Sequence, residues 1–320
     1  MKPPLILYVT RAGKALAEKL APFLQGEASR YSASEVEKAF CERRPIVFIG
    51  ACGIIVRAIG PHLKHKSQDP PVVVTDERGQ FVISLLAGHL GGANELAKKI
   101  ASFLGATPVI TTASDVQGTL ALDLWLQEKG AVLRDWGALK RLQSKLLEEG
   151  SLAVFLEAPL DFPLPEPLKR VEMPSQADLV LTYRNLSYPG PAFLLKALCL
   201  GMGFHDGERE LYKKVTQALQ REGLSPEAVR CIATLDKRAQ NPAFSEMARR
   251  LSAEALSFER EKLCQISAPS PSYAQKVLQI PGVAEPCALL AAEGGPLVLP
   301  KISFQGVTLA AAIHASFTFR

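Results

Sequence analysis

No stretch of this 320-residue chain approaches the roughly 18 uninterrupted apolar residues of a membrane helix, so no membrane partner is expected. The apolar run near the start, Leu5–Val9, is too short for a signal-peptide core, and no small-residue cleavage site follows it. A cytoplasmic protein is the expectation. An excess of one charge is lacking too. Lys plus Arg number 37 against 32 Asp plus Glu, a formal +5, which is too slight to indicate nucleic acid as a partner. The six cysteines (Cys41, Cys52, Cys199, Cys231, Cys264, Cys287) form no CxxC pair. Their dispersal argues for reduced, mostly buried thiols rather than a zinc site or a disulfide frame. A phosphate loop of the Gly-x4-Gly-Lys-Ser/Thr type is absent, as is the Gly-x-Ser-x-Gly nucleophile elbow. Gly50-Ala51-Cys52-Gly53 is not the dinucleotide fingerprint, and Gly201-Met202-Gly203 lacks its third glycine. Nucleotide binding therefore has little support.

What is present is an ordinary globular composition, 48% apolar and 22% charged, enough to bury a sizeable core. In the first part, short β-branched runs alternate with helical stretches. Strands are predicted at Leu5–Thr10, Pro45–Gly50, Val72–Thr75, Phe81–Leu86 and Pro108–Thr112, and helices at Lys14–Leu24 and from Gly91-Gly92 to Gly105. Residues 130–193 differ, with seven prolines between two strand-like runs, Leu152–Glu157 and Leu179–Tyr183. From Lys196 the alternation returns, with strands at Ala197–Gly203, Arg230–Thr234 and Leu297–Pro300. Asp206 is placed to cap the next helix, and Ser225-Pro226 and Asn241-Pro242 read as further helix starts. The predicted class is α/β: two open α/β domains with mostly parallel sheets, 1–129 and 196–320, joined by a small middle module, 130–195.

Chemistry-bearing residues concentrate between Gly50 and Asp115. Residues 43–68 carry Arg43, Arg44, Arg57, Lys64, Lys66, His62 and His65 and no acidic side chain. A solvated loop accounts best for Arg43 and Arg44, whereas Arg57, Lys64 and Lys66 lead into the densest motif and suit either a solvated loop or an anionic ligand. That motif is Gly88-His89-Leu90-Gly91-Gly92-Ala93-Asn94. Its glycines permit close backbone approach, and a helix start there offers N–H groups to an oxyanion or carboxylate. Because imidazole titrates near neutral pH, His89 is the candidate general acid–base, the alternative being a histidine that only braces the loop. Asp76 and Glu77 sit at a strand exit, where open sheets build ligand crevices, but Asp76-Glu77-Arg78-Gly79 is equally a good turn. Thr111 and Thr112 lie at another strand exit, before Ser114 and Asp115, which also read as helix caps. Cys52 near a helix start has no placed base and reads as a buried thiol. His62 and His65 are spaced for a metal on a helix but have no third ligand nearby, so no metal is expected.

The run GACGIIVRAIGPHLKHKSQDPPVVVTDERGQFVISLLAGHLGGANELA and the PVITTASD after it closely resemble the N-terminal domain of the cobalt-precorrin-5A hydrolases of anaerobic cobalamin biosynthesis. A looser resemblance covers Leu198–Gly203, Ile232–Asp236, Gly282–Glu285 and Leu297–Lys301. This chain departs from that pattern at Phe204-His205-Asp206-Gly207 and at Asn241 and Ala243, so no ligand role is carried over to that turn. The resemblance implies opening of the δ-lactone of cobalt-precorrin-5A and release of acetaldehyde, giving cobalt-precorrin-5B. It implies a carboxylate-rich macrocycle as partner, with neighbouring pathway enzymes as further partners. No cofactor is expected, because the substrate carries its own cobalt; a minor alternative has that cobalt accept His89, His62 or His65. On this reading His89, with Asp76, activates water. Arg57, Lys64, Lys66, Gly88, Gly91, Gly92, Asn94, Thr111 and Thr112 bind the substrate, and the Gly91–Asn94 helix start polarises the lactone carbonyl. A non-catalytic tetrapyrrole carrier would use the same basic residues without needing His89 as a base.

Overall fold

The computed structural model describes residues 2–65, 68–88, 91–111, 119–270 and 280–318. The chain divides into two compact units, 1–124 and 125–320. Among the described residues no helix is long and apolar enough to cross a membrane.

The first unit holds β1 (Leu5–Tyr8), α1 (Arg11–Leu24), β2 (Glu27–Arg30), α2 (Ala33–Glu42), β3 (Ile46–Ile49), α3 (Cys52–Ile59), β4 (Val72–Thr75), β5 (Phe81–Leu86), α4 (Ala93–Leu104) and β6 (Thr107–Val109). They form one sheet in the order β2-β1-β3-β4-β5-β6. The runs LILY, IVFI and VVVT are apolar throughout because helices cover both faces of these strands. Alternate residues divide between two cores. Ile6, Val47, Ile49 and Val73 pack with Ala17, Leu20, Ala97 and Ile100 of α1 and α4. Leu5, Leu7, Phe48 and Val74 pack with Val36, Ala39, Ile55 and Ile59 of α2 and α3. The helix ends are fixed locally: Thr10 accepts from Gly13 N and Ser32 from Glu35 N, and Gly105 ends α4 in the left-handed region.

Strands β1 to β4 are mutually parallel. β5 runs against β4, with Thr75 opposite Val82 and Val72 opposite Leu86, and β6 runs parallel to β5. The last two strands therefore leave the sheet at the edge where β1, β3 and β4 enter it.

The second unit begins within α5 (Leu122–Glu128), followed by α6 (Trp136–Glu149), β7 (Leu152–Leu156), β8 (Leu168–Arg170), β9 (Leu179–Thr182) and β10 (Ala192–Leu194). These strands make an all-parallel sheet in the order β10-β9-β7-β8. Then come β11 (Leu198–Phe204), α7 (Leu211–Arg221), β12 (Val229–Leu235), α8 (Asp236–Ala239), α9 (Pro242–Leu251), β13 (Glu254–Phe258), α10 (Arg260–Cys264), α11 (Ala284–Ala291), β14 (Leu297–Phe304) and β15 (Val307–Ile313). The second sheet has the order β13-β12-β11-β15-β14; β11 is parallel to β12 and antiparallel to β15. The two sheets are bonded into one unit by Asp161 N to Phe317 O (2.8 Å), Asn185 N to Gly223 O (2.9 Å) and Ser225 N to Tyr183 O (3.0 Å).

Asp206 does not cap the helix after β11. That helix starts five residues later at Leu211, and Asp206 instead pairs with Arg238. Of the six cysteines only Cys199, Cys231 and Cys287 are buried; Cys52 is half-buried and Cys41 and Cys264 are exposed. The buried three belong to a core of small residues between α11 and the sheet. A hydrogen bond with Cys231 and then burial push the Cys199 thiol up, and burial pushes Cys287 up, so both stay protonated.

The same small-residue core brings α11 onto β11 at backbone contact. A Cβ at Gly201 would collide with the Ala284 carbonyl and the Ala288 N–H, neither of which can rotate away. Gly201→Ala is accordingly expected to lose about 3 kcal/mol or more of stability, read as a lower urea midpoint. A midpoint within error of the native protein would contradict that packing.

Candidate functional site

The carboxyl ends of β1, β3 and β4 carry Thr10, the Gly50–Gly53 turn and Asp76. Their chain is tied together there: Gly50 N donates to Thr75 O at 2.9 Å, and Thr10 Oγ1 donates to Glu77 Oε1 at 2.6 Å. Asp76 is wholly engaged in the turn. Its carboxylate accepts from the N–H groups of Arg78, Gln80 and Phe81, each at 2.8 Å, and its carbonyl accepts from Gly79 N at 3.0 Å. Burial opposes its charge, but these N–H bonds outweigh burial and hold the carboxyl below its ordinary value. A depressed carboxylate is a poor base.

The glycine motif is at the other edge. β5 ends beside Val72, so Gly88 emerges where β4 begins. Three residues of strand, at about 3.3 Å each, separate that edge from Thr75. Asp76 thus leaves the sheet at the edge opposite Gly88. Thr111, following β6, leaves at the same edge as Gly88 and is exposed. His89, Lys66 and Thr112 lie outside the described residues.

The loop into α4 is wound tightly on itself. Ala93 N donates to Ala87 O (3.2 Å) and Asn94 N to Gly88 O (2.9 Å). Two of the helix-start donors, Ala93 N and Asn94 N, thus already have backbone acceptors. Asn94 is buried, and its Oδ1 accepts from Ser84 Oγ at 2.6 Å. A Cβ at Gly88 would lie 2.7 Å from that same Oδ1, and one at Gly91 would lie 2.5 Å from the Ala87 Cβ. So Asn94 packs against the start of this loop from inside. Ser84, the polar residue in the apolar strand run FVISLL, is its partner; that break in the run is the signal a sequence reading can use.

Lys64 reaches this amino edge by a different path. α3 returns from the Gly50–Gly53 turn, and the loop after it is pinned by Asp69, whose carboxylate accepts from Lys64 N at 3.0 and 3.3 Å. Lys64 lines a cleft of about 310 Å³ with Phe40, Arg43, His62 and Asp69. Arg43, read from composition as solvated, joins Lys64 there. Arg44 does not: it binds Glu27 and the carbonyls of Pro3 and Pro4. Arg57 is also apart, donating back to Gly53 O at 3.3 Å. Gly92 borders a separate cleft of about 330 Å³ with Lys2, Glu95 and Lys99. The structure brings Lys64, Gly88, Gly91 and Thr111 to one sheet edge.

Residues 34–115 match the family described as Cobalamin synthesis G N-terminal, and residues 198–312 the one described as Cobalamin synthesis G C-terminus. A cobalt-precorrin-5A hydrolase of Priestia megaterium is 32% identical over 291 residues, 84% of this chain and 78% of that protein. The Salmonella typhimurium cobalt-precorrin-5A hydrolase is 29% identical over 333 residues, 94% and 95% of the two chains. A solved structure of a cobalamin biosynthesis protein G homolog from Sulfolobus solfataricus is 22% identical, with 97% and 96% of the chains covered and a TM-score of 0.40.

The Asp76 turn makes a pH-dependent prediction. A carboxyl depressed by folding stabilises above its unfolded-state value and loses that contribution as pH falls through the folded-state value. Asp76→Asn should lower stability by about 1–3 kcal/mol at pH 7. The gap to the native protein should close on acidification below the ordinary carboxylate range. Chemical denaturation at pH 7 and pH 3 reads both; a gap independent of pH would count against the ionised turn.

Proposed function

The chain belongs to the cobalt-precorrin-5A hydrolase family, and from that premise we propose that it opens the δ-lactone of cobalt-precorrin-5A and releases acetaldehyde, giving cobalt-precorrin-5B. The observation that carries this reading is the likeness to hydrolases through both halves of the chain. The basic amino edge of the first unit agrees with it, since a macrocycle rich in carboxylates is held well by charge-assisted hydrogen bonds from Arg43 and Lys64.

The chemistry has two stages. Water adds to the lactone carbonyl and the acyl–oxygen bond breaks, leaving a carboxylate and a secondary alcohol on the ring substituent. A base then takes the hydroxyl proton, the carbon–carbon bond to the macrocycle breaks, and acetaldehyde departs. The electron pair stays on the ring carbon, which takes up a proton. His89 is assigned both proton transfers, since imidazole passes protons either way near neutral pH. Asp76 has no part in them. With the Ala93 and Asn94 N–H groups bonded within the loop, the developing oxyanion is assigned to the cations of this edge, Lys64 first. The cobalt arrives with the substrate, so the reaction asks no resident metal of the protein.

Acetaldehyde release from anaerobically prepared cobalt-precorrin-5A, coupled to NADH oxidation by alcohol dehydrogenase, tests the reading. One equivalent per substrate, above a control without enzyme, is expected. Tight binding with no release would make the protein a carrier. His89→Gln should lower turnover by at least about a hundredfold while substrate still binds. Turnover near that of the native enzyme would remove His89 from the mechanism.

A further inference from the structure

β5 reads FVISLL, and Ser84 is its one polar residue. A hydroxyl set among apolar side chains needs a partner, because burying it unpaired is costly. Its partner is Asn94 on the first turn of α4. Ser84 Oγ donates to Asn94 Oδ1 at 2.6 Å, and Asn94 is only 3% exposed. A side-chain amide has an accepting end and a donating end. By donating to the oxygen, Ser84 fixes which end of the Asn94 amide faces β5.

The oriented amide meets the loop that leads into α4. Asn94 N donates to Gly88 O and Ala93 N to Ala87 O, so the two ends of that loop are pinched together. The oxygen that Ser84 holds is the atom a Cβ at Gly88 would meet at 2.7 Å, so there is no slack between the amide and the loop. Ala87 sits at φ 56°, in the left-handed region that a residue with a Cβ enters only at a cost. Strain of this kind persists where the surroundings over-determine the backbone, and it gathers at functional sites. Here the surroundings are two backbone bonds and the Asn94 amide, and Ser84 alone ties that amide to the sheet through its oxygen. In sequence His89 stands within the pinch, between Gly88 and Gly91.

We propose that Ser84 is a positioning residue for the hydrolysis. Through Asn94 it holds the base of the loop that bears His89, and so sets where the proton-transferring group stands. This role rests on the proton transfers assigned to His89 above. Ser84 itself touches no substrate; its effect on turnover passes through the loop. A reacting group misplaced by about 1 Å can cost on the order of a hundredfold in rate.

Ser84→Ala removes the hydroxyl and little volume. With cobalt-precorrin-5A its kcat should fall at least about tenfold while KM stays within about twofold, since the cations that hold the carboxylates are untouched. In the His89→Gln background the same change should cost less than about twofold more, because the group it positions is gone. Hydrogen exchange reads the loop without substrate. The Ala93 and Asn94 amides should exchange at least about tenfold faster in Ser84→Ala, while those of α1 keep their native rates and show that the unit is folded. Release of acetaldehyde by the native chain with undiminished kcat in Ser84→Ala overturns the positioning role and leaves the hydrolase standing. So does a full tenfold loss in the His89→Gln background, which would place the action of Ser84 elsewhere. No release by the native chain overturns the hydrolase reading, and the role of Ser84 in turnover with it. Unchanged exchange at Ala93 and Asn94 overturns the clasp whichever way release falls.

Discussion

Three backbone N–H groups converging on one carboxylate set the plan of the first unit. By accepting from Arg78, Gln80 and Phe81, Asp76 folds the chain back on itself between β4 and β5. The reversal sends β5, and β6 after it, against the direction of the first four strands. Had β5 continued in parallel, Gly88 and Asp76 would leave the sheet at the same edge. Instead the turn that Asp76 holds is what carries the glycine motif away from it. A residue with the chemistry of a base is here a determinant of topology, and Glu77 adds to that by holding Thr10 at the start of α1.

At the amino edge the polar groups divide into those that build and those that remain available. Asn94, Ser84 and Asp69 are spent on the loops: the first two on the entrance to α4, the third on the loop after α3. Arg43, His62 and Lys64 are left lining a cleft. This division agrees with a substrate held through its carboxylates. Anionic side chains at the rim would repel it, and Asp69, the one acid among the described lining residues, is occupied by the Lys64 N–H.

Much of this was legible in the sequence. Apolar runs such as LILY and VVVT mark strands buried on both faces, and the spacing of Ala17, Leu20 and Leu24 marks a helix face. Other features leave no such trace. β2 reads EASR, a half-exposed edge strand with a single apolar residue, so no periodicity announces it. FVISLL has the same composition whether it runs parallel or antiparallel to its neighbour; only the turn's hydrogen bonds decide. DERG satisfies the rule for a turn and the rule for a strand-exit acid, and Asp76 meets both: it follows β4 and its carboxylate holds the turn. Asn94 is polar and reads as a ligand donor, while its burial and its bond from Ser84 are visible only in the fold. In the second unit the turn after β11 departs from the family pattern and lends no inherited role. The charge of Lys237, thirty-odd residues on in the chain, meets that turn only in the fold.

The close seating of α11 on β11 has a consequence for recognition. Gly201, Ala284, Ala288, Ala291, Ala310 and Ala312 have no rotamers to lose. Val283, immediately before α11, and Phe204, at the end of β11, flank a cleft of about 470 Å³ in the second unit and are held by this rotamer-free seam. A ligand arriving between them meets walls that are already in place. The ordering entropy that usually offsets part of a binding energy was surrendered when the chain folded.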